Sequence, residues 1–421
     1  CLQIRNIKGE LPISQIDDVS FLIKSLKSSL SLSAKGLLEI CNILRTAREL
    51  TEYIKDLETP LPTIKDYFSM LYSNKDIENK ISSCIISEDT IADNASSKLY
   101  SIRNSKKSLE NDIKNKLNQV MHTNSKYIMD QVITIRDGRY VIPVKDEYRS
   151  FVKGFIHDTS SSGSTVYIEP MAVFEINNKI NNLSLEENKE IERILSELSG
   201  LLFPIVYQLE TDVEIISKLD FINAKAKLAI EMEANLPIIS NEINLIKARH
   251  PLIPKDKVVP IHIYVGKDFT TLVITGPNTG GKTVNLKTVG LLCLMAQSGL
   301  FIPAEENSTV KIFENIFADI GDEQSIEQSL STFSSHMTNI VKIVEKVNNK
   351  SLVLVDELGS GTDPIEGANL ALALLEYFHN QGAITVATTH YHEIKNYCIT
   401  HDGFENASCE FDIEKLEPTY H

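Results

Sequence analysis

The stretch at 272–289, LVITGPNTGGKTVNLKTV, constrains the fold more than any other part of the chain. Its centre fits the phosphate-loop pattern, in which two glycines frame four residues and Lys-Thr follows. Glycines let the backbone wrap closely around phosphates, with several N–H groups turned inward. A buried strand predicted over 272–275 and a helix over 283–296 flank the loop, and a helix N-terminus favours the same anion. The pattern therefore predicts a nucleotide site in an α/β domain.

The side chains that follow the loop have separate predicted roles. We expect Lys282 to reach the β- and γ-phosphates and the Thr283 hydroxyl to bind Mg²⁺. The alternative, an ordinary glycine-rich turn before a helix, is less favoured because a strand and a helix flank the loop in the order that the motif requires. The predicted nucleotide-binding residues of the loop are Gly276, Pro277, Asn278, Thr279, Gly280, Gly281, Lys282 and Thr283.

A second apolar run, SLVLV at 351–355, is followed directly by Asp356 and Glu357. The run is typical of a buried parallel strand, and functional groups of such sheets lie at the carboxyl ends of strands. We therefore expect Asp356 to hold Mg²⁺, directly or through water, and Glu357 to act as the catalytic base on the attacking water. Without the phosphate loop, two acids that cap the next turn would be the better interpretation.

Length, charge and cysteine usage limit the class of protein. A chain of 421 residues predicts two or three domains. A formal charge of −15 excludes a global nucleic-acid footprint, so any such contact must be local. The six scattered cysteines form no CxxC pair, which predicts reduced thiols and a cytoplasmic protein. No long apolar segment or signal peptide is present, so no membrane partner is expected. Because the first residue is Cys, we expect an internal fragment.

The order of periodic segments predicts an arm with a tip. Alternating β-branched residues around Asp-Gly, VITIRDGRYVI at 132–142, indicate a hairpin. The other predicted elements are helical segments over 1–85, 88–124 and 171–200, strands over 154–157 and 164–168, and a helix that resumes after Pro204 and runs to 233. A small β unit therefore lies between two long helices.

The predicted tip carries the clearest basic cluster of this acidic chain. The candidate nucleic-acid-binding residues are Arg136, Arg139, Arg149 and Lys153, which interleave with Tyr140, Phe151 and Phe155. Hydroxyl and backbone donors follow at 158–164, and such groups suit contact with a phosphate backbone without base reading. The alternative is an ordinary hairpin whose arginines pair with Asp137, Asp146 and Glu147. The spacing does not choose between the two.

Four motifs in sequence order resemble those of the MutS superfamily of ATPases: ITGPNTGGKT, DIGDEQSIEQSLSTFSSHM, DELGSGTDPIEGA and ATTHY. The match is closest to its second bacterial type, which has no mismatch-reading domain. The resemblance continues upstream through ARHPLIP, VITIRDGRYVIPVKDEYR and HDTSSSG, so it covers nearly the whole chain. Transporter subunits and chromosome-cohesion ATPases fit poorly, because LSGGQ is absent and the arm precedes the phosphate loop.

The resemblance implies a multi-domain, mixed fold with an α-helical lever and core, a clamp with a small β unit, and an α/β ABC-type P-loop ATPase domain. The corresponding domains are a helical core and lever part at 1–89, the clamp at 90–215 with its tip at 130–170, a returning lever helix at 216–240 and the ATPase domain at 241–421. We expect that domain to be incomplete at its C-terminal end. This type also carries a C-terminal nuclease domain, and no nuclease residue can be assigned here.

The resemblance also implies a homodimer that holds two ATP molecules with Mg²⁺ between its subunits. Carried over by position, Ser331 faces the γ-phosphate bound by the other subunit, and the loop at 359–364 lies along the dimer interface. His390, at a strand end, senses the γ-phosphate as part of the catalytic set. The residue that stacks on adenine has no assignment.

The implied function is an ATP-driven clamp on a large nucleic-acid assembly. Its object is either a stalled or collided ribosome, which it splits, or branched DNA, which leads to suppression of homologous recombination. The sequence does not choose between them, since a clamp that reads backbone shape serves either. A hypothesis from a different class is a nucleotide-gated binding module with negligible turnover, in which ATP only sets the position of the arm.

Overall fold

The computed structural model describes residues 2–55, 62–276, 281–321, 332–409, 411–412 and 417–418. The chain forms two compact units, one of Ile7–Phe221 and one of Cys1–Asn6 with Ile222–His421. The combination of helices and sheets agrees with the predicted mixed, multi-domain fold, whereas the finer domain boundaries stay predictions. Over the described ranges, no helix has both the length and the apolar character needed to cross a lipid bilayer.

The first 231 residues are mainly helical. The elements are α1 Leu2–Lys8, α2 Ser20–Lys27, α3 Ala34–Ile54, α4 Pro62–Ser69, α5 Lys75–Cys84, β1 Ile85–Ser87, β2 Thr90–Ile91, α6 Ser97–Thr123, β3 Thr134–Arg136, β4 Arg139–Lys145, β5 Gly154–Thr159, β6 Thr165–Pro170, α7 Phe174–Gly200 and α8 Val206–Glu231. Short 3₁₀ turns cover Asp93–Ala95, Asp146–Tyr148 and Phe203–Ile205.

The long helix α6 begins later than the charged helical pattern predicted. The strand β2 and the 3₁₀ turn at Asp93–Ala95 occupy the start of the predicted range. The helix starts where Ser96, in an extended conformation, accepts a hydrogen bond from the Leu99 N–H with its side chain. A serine in that position satisfies one of the free N–H groups of the first turn. The predicted start at residue 88 was therefore wrong, while the end near residue 124 is confirmed.

The predicted hairpin around Asp-Gly is confirmed. Strands β3 and β4 pair antiparallel with Arg136 opposite Arg139, and both turn residues have positive φ, 47° at Asp137 and 72° at Gly138. A two-residue turn of this kind matches the twist of its strands. The sheet continues in the order β3-β4-β6-β5, all antiparallel. Its buried residues, which include Ile142, Val144, Val166 and Ile168, pack with Ile113 and Leu117 in the C-terminal half of α6.

The second half of the chain alternates strands and helices. The elements are β7 Ile238–Ser240, β8 Ile243–Ala248, β9 Ile261–Val265, β10 Thr271–Thr275, α9 Lys282–Gln297, β11 Thr309–Lys311, β12 Asn315–Asp319, α10 Thr332–Lys346, β13 Ser351–Val355, α11 Pro364–Asn380, β14 Ile384–Thr389, α12 His392–Thr400, β15 Phe404–Ser408, β16 Phe411–Asp412 and β17 Glu417–Pro418. Strands β7, β11, β8 and β9 form one four-stranded sheet in that order.

A five-stranded parallel sheet positions the candidate site. Its order is β12-β13-β14-β10-β15. Alternate residues of β13 enter two cores: Leu352 and Leu354 pack in the cluster that contains α9, and Val353 and Val355 in the cluster that contains α10 and α11. Burial on both faces explains the continuous apolar runs in the sequence. The strands predicted near 272, 351 and 384 are confirmed, and their carboxyl ends meet at one edge.

Candidate functional site

The two described ends of the phosphate loop have backbone conformations that favour glycine. Gly276 follows β10 with φ 130°, and Gly281 precedes α9 with φ 82°. Any residue with a Cβ is strained in such conformations. The four predicted loop residues between them, Pro277, Asn278, Thr279 and Gly280, lie outside the described residues. Thr283 lies in the first turn of α9, half-buried.

Lys282, the first residue of α9, has its charged side chain almost entirely out of water. The residue is 2% exposed, and its Nζ donates a hydrogen bond to the Gly276 carbonyl at 2.7 Å. Burial lowers the pKa of Lys282, while the negative charges of Glu357 and Asp356 act in the opposite direction. A buried ammonium group beside the ends of a glycine loop suits an anionic ligand.

The two carboxylates lie where β13 ends, as predicted. Asp356 is buried, and its N–H donates to the Asp319 carbonyl of the neighbouring strand β12 at 2.9 Å. Glu357 has φ 50°, a conformation that few residues other than glycine adopt. Its N–H donates to the Thr388 hydroxyl oxygen at 2.8 Å. This backbone turn brings the Glu357 side chain, a quarter exposed, to the edge of the sheet.

His390 lies between the lysine and the glutamate. It directly follows β14, its Nδ1 is 3.2 Å from Lys282 Nζ, and its Nε2 is 3.4 Å from Glu357 Oε1. Its side chain is 43% exposed. The structure thus brings Lys282, Asp356, Glu357 and His390 to one edge of the sheet. Ser331 lies outside the described residues, so its predicted contact across a dimer stays a prediction.

Sequence reasoning missed two polar residues at the same edge. Thr388 is buried on β14, and its hydroxyl donates to Asp356 Oδ1. Asp319 ends β12; its carboxylate lies 2.9 Å from His336 Nδ1 and accepts a hydrogen bond from the Asn339 amide at 2.9 Å. Both residues lie within recognised motifs, ATTHY and DIGDEQSIEQSLSTFSSHM. The signal that could have found them is their position at a parallel strand's carboxyl end.

A cavity of about 250 Å³ opens beside the first turns of α9. Its walls are mainly apolar, and it reaches Gly281 at the end of the phosphate loop. The residues that form it include His250, Ile253, Val258, Ile261, Val284 and Asn285. Burial, with the positive charge of Lys287, lowers the pKa of His250. A cavity with mainly apolar walls suits a flat heteroaromatic group.

The loop after Glu357 is closely packed against Tyr391. Gly359 has φ 87°, and a Cβ built there would lie 2.4 Å from the Gly367 carbonyl oxygen. The Tyr391 hydroxyl donates to the Gly359 carbonyl at 2.8 Å. Asp363 directly precedes α11, and its side chain accepts hydrogen bonds from the N–H groups of Ile365 and Glu366 in the first turn. The loop is therefore held to the residue that follows His390.

The basic residues of the four-stranded sheet β3–β6 and its loops, 134–170, which we call the hairpin unit, are largely paired inside that unit. Arg139 Nη1 donates to the buried Glu169 at 2.7 Å, Arg136 Nε lies 2.9 Å from Asp158, and Arg149 Nη1 lies 3.6 Å from Asp146. Of the three acidic partners that the sequence suggested, only Asp146 is one of these. Arg139 is mostly buried, whereas the Arg149 side chain is 63% exposed. Phosphate contact by this cluster stays a prediction, and Arg139 is the least accessible of its members.

Comparison with known proteins identifies the class and then the family. The family model for MutS domain V matches residues 272–420, which contain the phosphate-loop motif, both carboxylates and His390. Over 423 residues the sequence is 52% identical to "Endonuclease MutS2" of Clostridium perfringens, covering 100% of this chain and 54% of that protein. The protein of the same name from Ruminiclostridium cellulolyticum is 52% identical over 419 residues, 98% of this chain and 53% of the relative. This chain belongs to the MutS superfamily, in its MutS2 type, as the motifs predicted. It spans about half the length of the curated relatives it matches.

Proposed function

We propose that this chain is the ATP-hydrolysing part of a homodimeric MutS2-type clamp on large nucleic-acid assemblies. The observation that carries the proposal is the convergence of Lys282, Glu357 and His390 within hydrogen-bonding range at one edge of a parallel sheet. The α/β unit with its sheet and loop corresponds to an ABC-type P-loop ATPase domain. The endonuclease activity in the relatives' name is not assigned to residues of this chain.

The residues present fit ATP and Mg²⁺. Lys282 supplies a desolvated positive charge for the phosphates. The Thr283 hydroxyl and the Asp356 carboxylate are the hard oxygen donors that Mg²⁺ prefers. The cavity beside α9 has mainly apolar walls, and we propose that it takes the adenine. By the motif, we propose that backbone N–H groups over 278–280 complete the phosphate site.

The geometry supports a proposed role for each of the site's side chains. When bound, ATP supplies the phosphoanhydride bond and Mg²⁺ neutralises charge that develops on its oxygens. Glu357 accepts a proton from the attacking water, since its carboxylate is partly exposed at the sheet edge. His390, already within 3.4 Å of Glu357 Oε1, senses the γ-phosphate. Ser331 of one subunit completes the site of the other.

We propose that the hairpin unit contacts nucleic-acid phosphates through its exposed basic residues. Arg149 is the most exposed arginine of the cluster, Lys153 directly precedes β5, and the loop after β5 supplies hydroxyl donors. Arg139 is not part of this proposed contact surface, because it pairs with the buried Glu169 and stabilises the unit. The object, a ribosome or branched DNA, stays open, and the scattered cysteines support a cytoplasmic location for either.

Phosphate release and co-purifying nucleic acid test the proposal together. Glu357→Gln removes only the base, so we expect ATP binding with most turnover lost; Lys282→Ala removes the charge partner and loses binding as well. Lys350→Ala is a matched control, because Lys350 pairs with Glu314 on the surface away from the sheet edge. Wild-type turnover in Glu357→Gln refutes the assignment of the base.

The nucleic acid that remains bound to the Glu357→Gln protein decides the partner. Ribosomal RNA supports the ribosome and branched DNA the recombination intermediate. Wild-type protein that binds ATP but releases no phosphate, with either partner added, would favour the nucleotide-gated module.

A further inference from the structure

One hydroxyl group, that of Thr388, contacts both acidic residues of the site: the carboxylate of Asp356 and the backbone N–H of Glu357. We infer that Thr388 is a positioning residue for hydrolysis, which fixes the Asp356 carboxylate and the Glu357 backbone at the end of β13. Its Oγ1 donates to Asp356 Oδ1 and accepts from the Glu357 N–H at 2.8 Å. This inference rests on the proposed ATPase function and assigns a role that the recognised motifs leave open.

The contact with β14 extends over three consecutive residues. Besides the two bonds of the hydroxyl, the Thr388 carbonyl accepts a hydrogen bond from the Leu358 N–H at 3.0 Å. Glu357, between Asp356 and Leu358, has φ 50°. This backbone conformation is unfavourable in free energy for any residue that has a side chain, and it persists only where neighbouring groups hold it. Thr388 supplies that support from the adjacent strand. The direction of the Glu357 side chain therefore depends on β14.

The hydroxyl also determines which oxygen of Asp356 is available. A hydroxyl has one hydrogen to donate, and here Asp356 Oδ1 receives it. The carboxylate cannot rotate without losing that bond, so its other oxygen keeps one direction. A carboxylate that presents one fixed oxygen is suited to a cation with strict ligand geometry, as Mg²⁺ is.

Other threonines of the same sheet show that the hydroxyl of Thr388 is not simply required by the fold. Thr385 on β14 and Thr271 on β10 are fully buried, and their hydroxyls have no hydrogen-bond partner among the described residues. The sheet therefore tolerates buried threonines whose hydroxyls form no bond. Thr388 differs because both of its bonds go to the pair of residues with the proposed chemistry.

Kinetics with an isosteric variant test the role. Thr388→Val keeps the shape and removes the hydroxyl. At saturating Mg²⁺ we expect kcat to fall roughly tenfold or more with the KM for ATP within about twofold, because the orientation of the two acidic residues is lost and the ATP contacts are kept. Thr388→Ser should restore most of the rate. Thr385→Val, on the same strand with an unbonded hydroxyl, is the matched control and should keep the wild-type kcat. Wild-type kcat in Thr388→Val overturns the inference.

Hydrogen exchange gives a readout that does not depend on turnover. In Thr388→Val the Glu357 amide loses its acceptor, so it should exchange at least about tenfold faster than in wild type and in Thr385→Val. The Mg²⁺ concentration that half-saturates stabilisation of the ATP-bound protein should rise as well. Unchanged exchange at Glu357 overturns the inference even if the rate falls. If the wild-type protein shows no turnover, the proposed function is refuted. Hydrogen exchange at the Glu357 amide then tests by itself whether Thr388 positions this residue.

Discussion

Replacing Arg139 tests whether the hairpin unit uses its arginines for structure or for binding. Glu169 is completely buried, and it accepts hydrogen bonds from Arg139 at 2.7 and 3.0 Å and from Asn177 at 2.8 Å, with His157 Nε2 at 2.7 Å. Arg139 itself is mostly buried, and its guanidinium lies over the Phe174 ring. Arg139→Leu therefore leaves a buried carboxylate without its main positive partner.

The magnitude follows from that burial. Removing one member of a buried ion pair costs about 3–5 kcal/mol, and the remaining His157 and Asn177 contacts place this case at the low end, about 3 kcal/mol. That is roughly a hundredfold in the opening equilibrium of the unit. Hydrogen exchange of the β4 and β6 amides measures it locally, which suits a multi-domain chain better than one global transition.

Two further variants make the result decisive. Arg149→Leu is the control: its pair with Asp146 is exposed and long, so a change below about 1 kcal/mol is expected. The double variant Arg139→Leu, Glu169→Leu should recover part of the loss, because no unpaired charge is left buried. Unchanged exchange in Arg139→Leu, with weaker nucleic-acid binding, would refute the structural role and make Arg139 a contact residue.

Three other predictions concern assembly, binding and pH. Mixing Lys282→Ala with Ser331→Arg subunits should recover ATPase activity, since one site of the heterodimer combines an intact Lys282 with an intact Ser331. If proven heterodimers show no activity, both residues serve the site of the same subunit. The double variant Arg149→Glu, Lys153→Glu should weaken nucleic-acid or ribosome binding equally for all sequences. It should also lower the slope of log affinity against log salt concentration by roughly two units on duplex DNA. An unchanged slope would show that these residues contact no phosphates and that the unit is an ordinary hairpin. Burial raises the pKa of Asp212 to about 7 from 3.8. Between these two values the folded state keeps a proton on Asp212 that the unfolded state has lost. The free energy of unfolding of the wild type should therefore fall relative to that of Asp212→Asn as pH rises from about 4 to 7. Urea titrations across that range would measure the difference.

The sequence predicted those parts of the fold and site that depend on local patterns. The Asp-Gly turn requires positive φ at both positions, and so it marks the hairpin within a few residues. The phosphate loop and the carboxylates that follow β13 are equally local. The start of α6 was misplaced because charged residues over 88–96 are compatible with a helix, whereas β1 and β2 pair there instead.

The contacts that the sequence could not supply join residues far apart in the chain. In the sequence, Thr388 has no feature that separates it from an ordinary strand residue. Its hydrogen bond to Asp356 depends on how β13 lies beside β14. Arg139 reads as an exposed base on a hairpin, and its pairing with Glu169 follows from the register of β4, β6 and β5. A single sequence contains no measure of such register, so partners across strands were missed or misassigned.

The strand order of the parallel sheet also determines when the nucleotide site can form during synthesis. Among the described strands, the phosphate-loop strand β10 pairs with β14 and β15 alone: Leu272 lies opposite Val386 and Glu405. On a growing chain, β10 therefore emerges as an apolar segment without a neighbouring strand until β14 has been made at residue 389, and its second neighbour, β15, is complete only at residue 408. Contacts that close such long loops form slowly, and exposed strands are prone to associate wrongly in the meantime. The nascent chain should need chaperone protection over this interval, and translation pauses between β10 and β15 should lower the yield of folded protein.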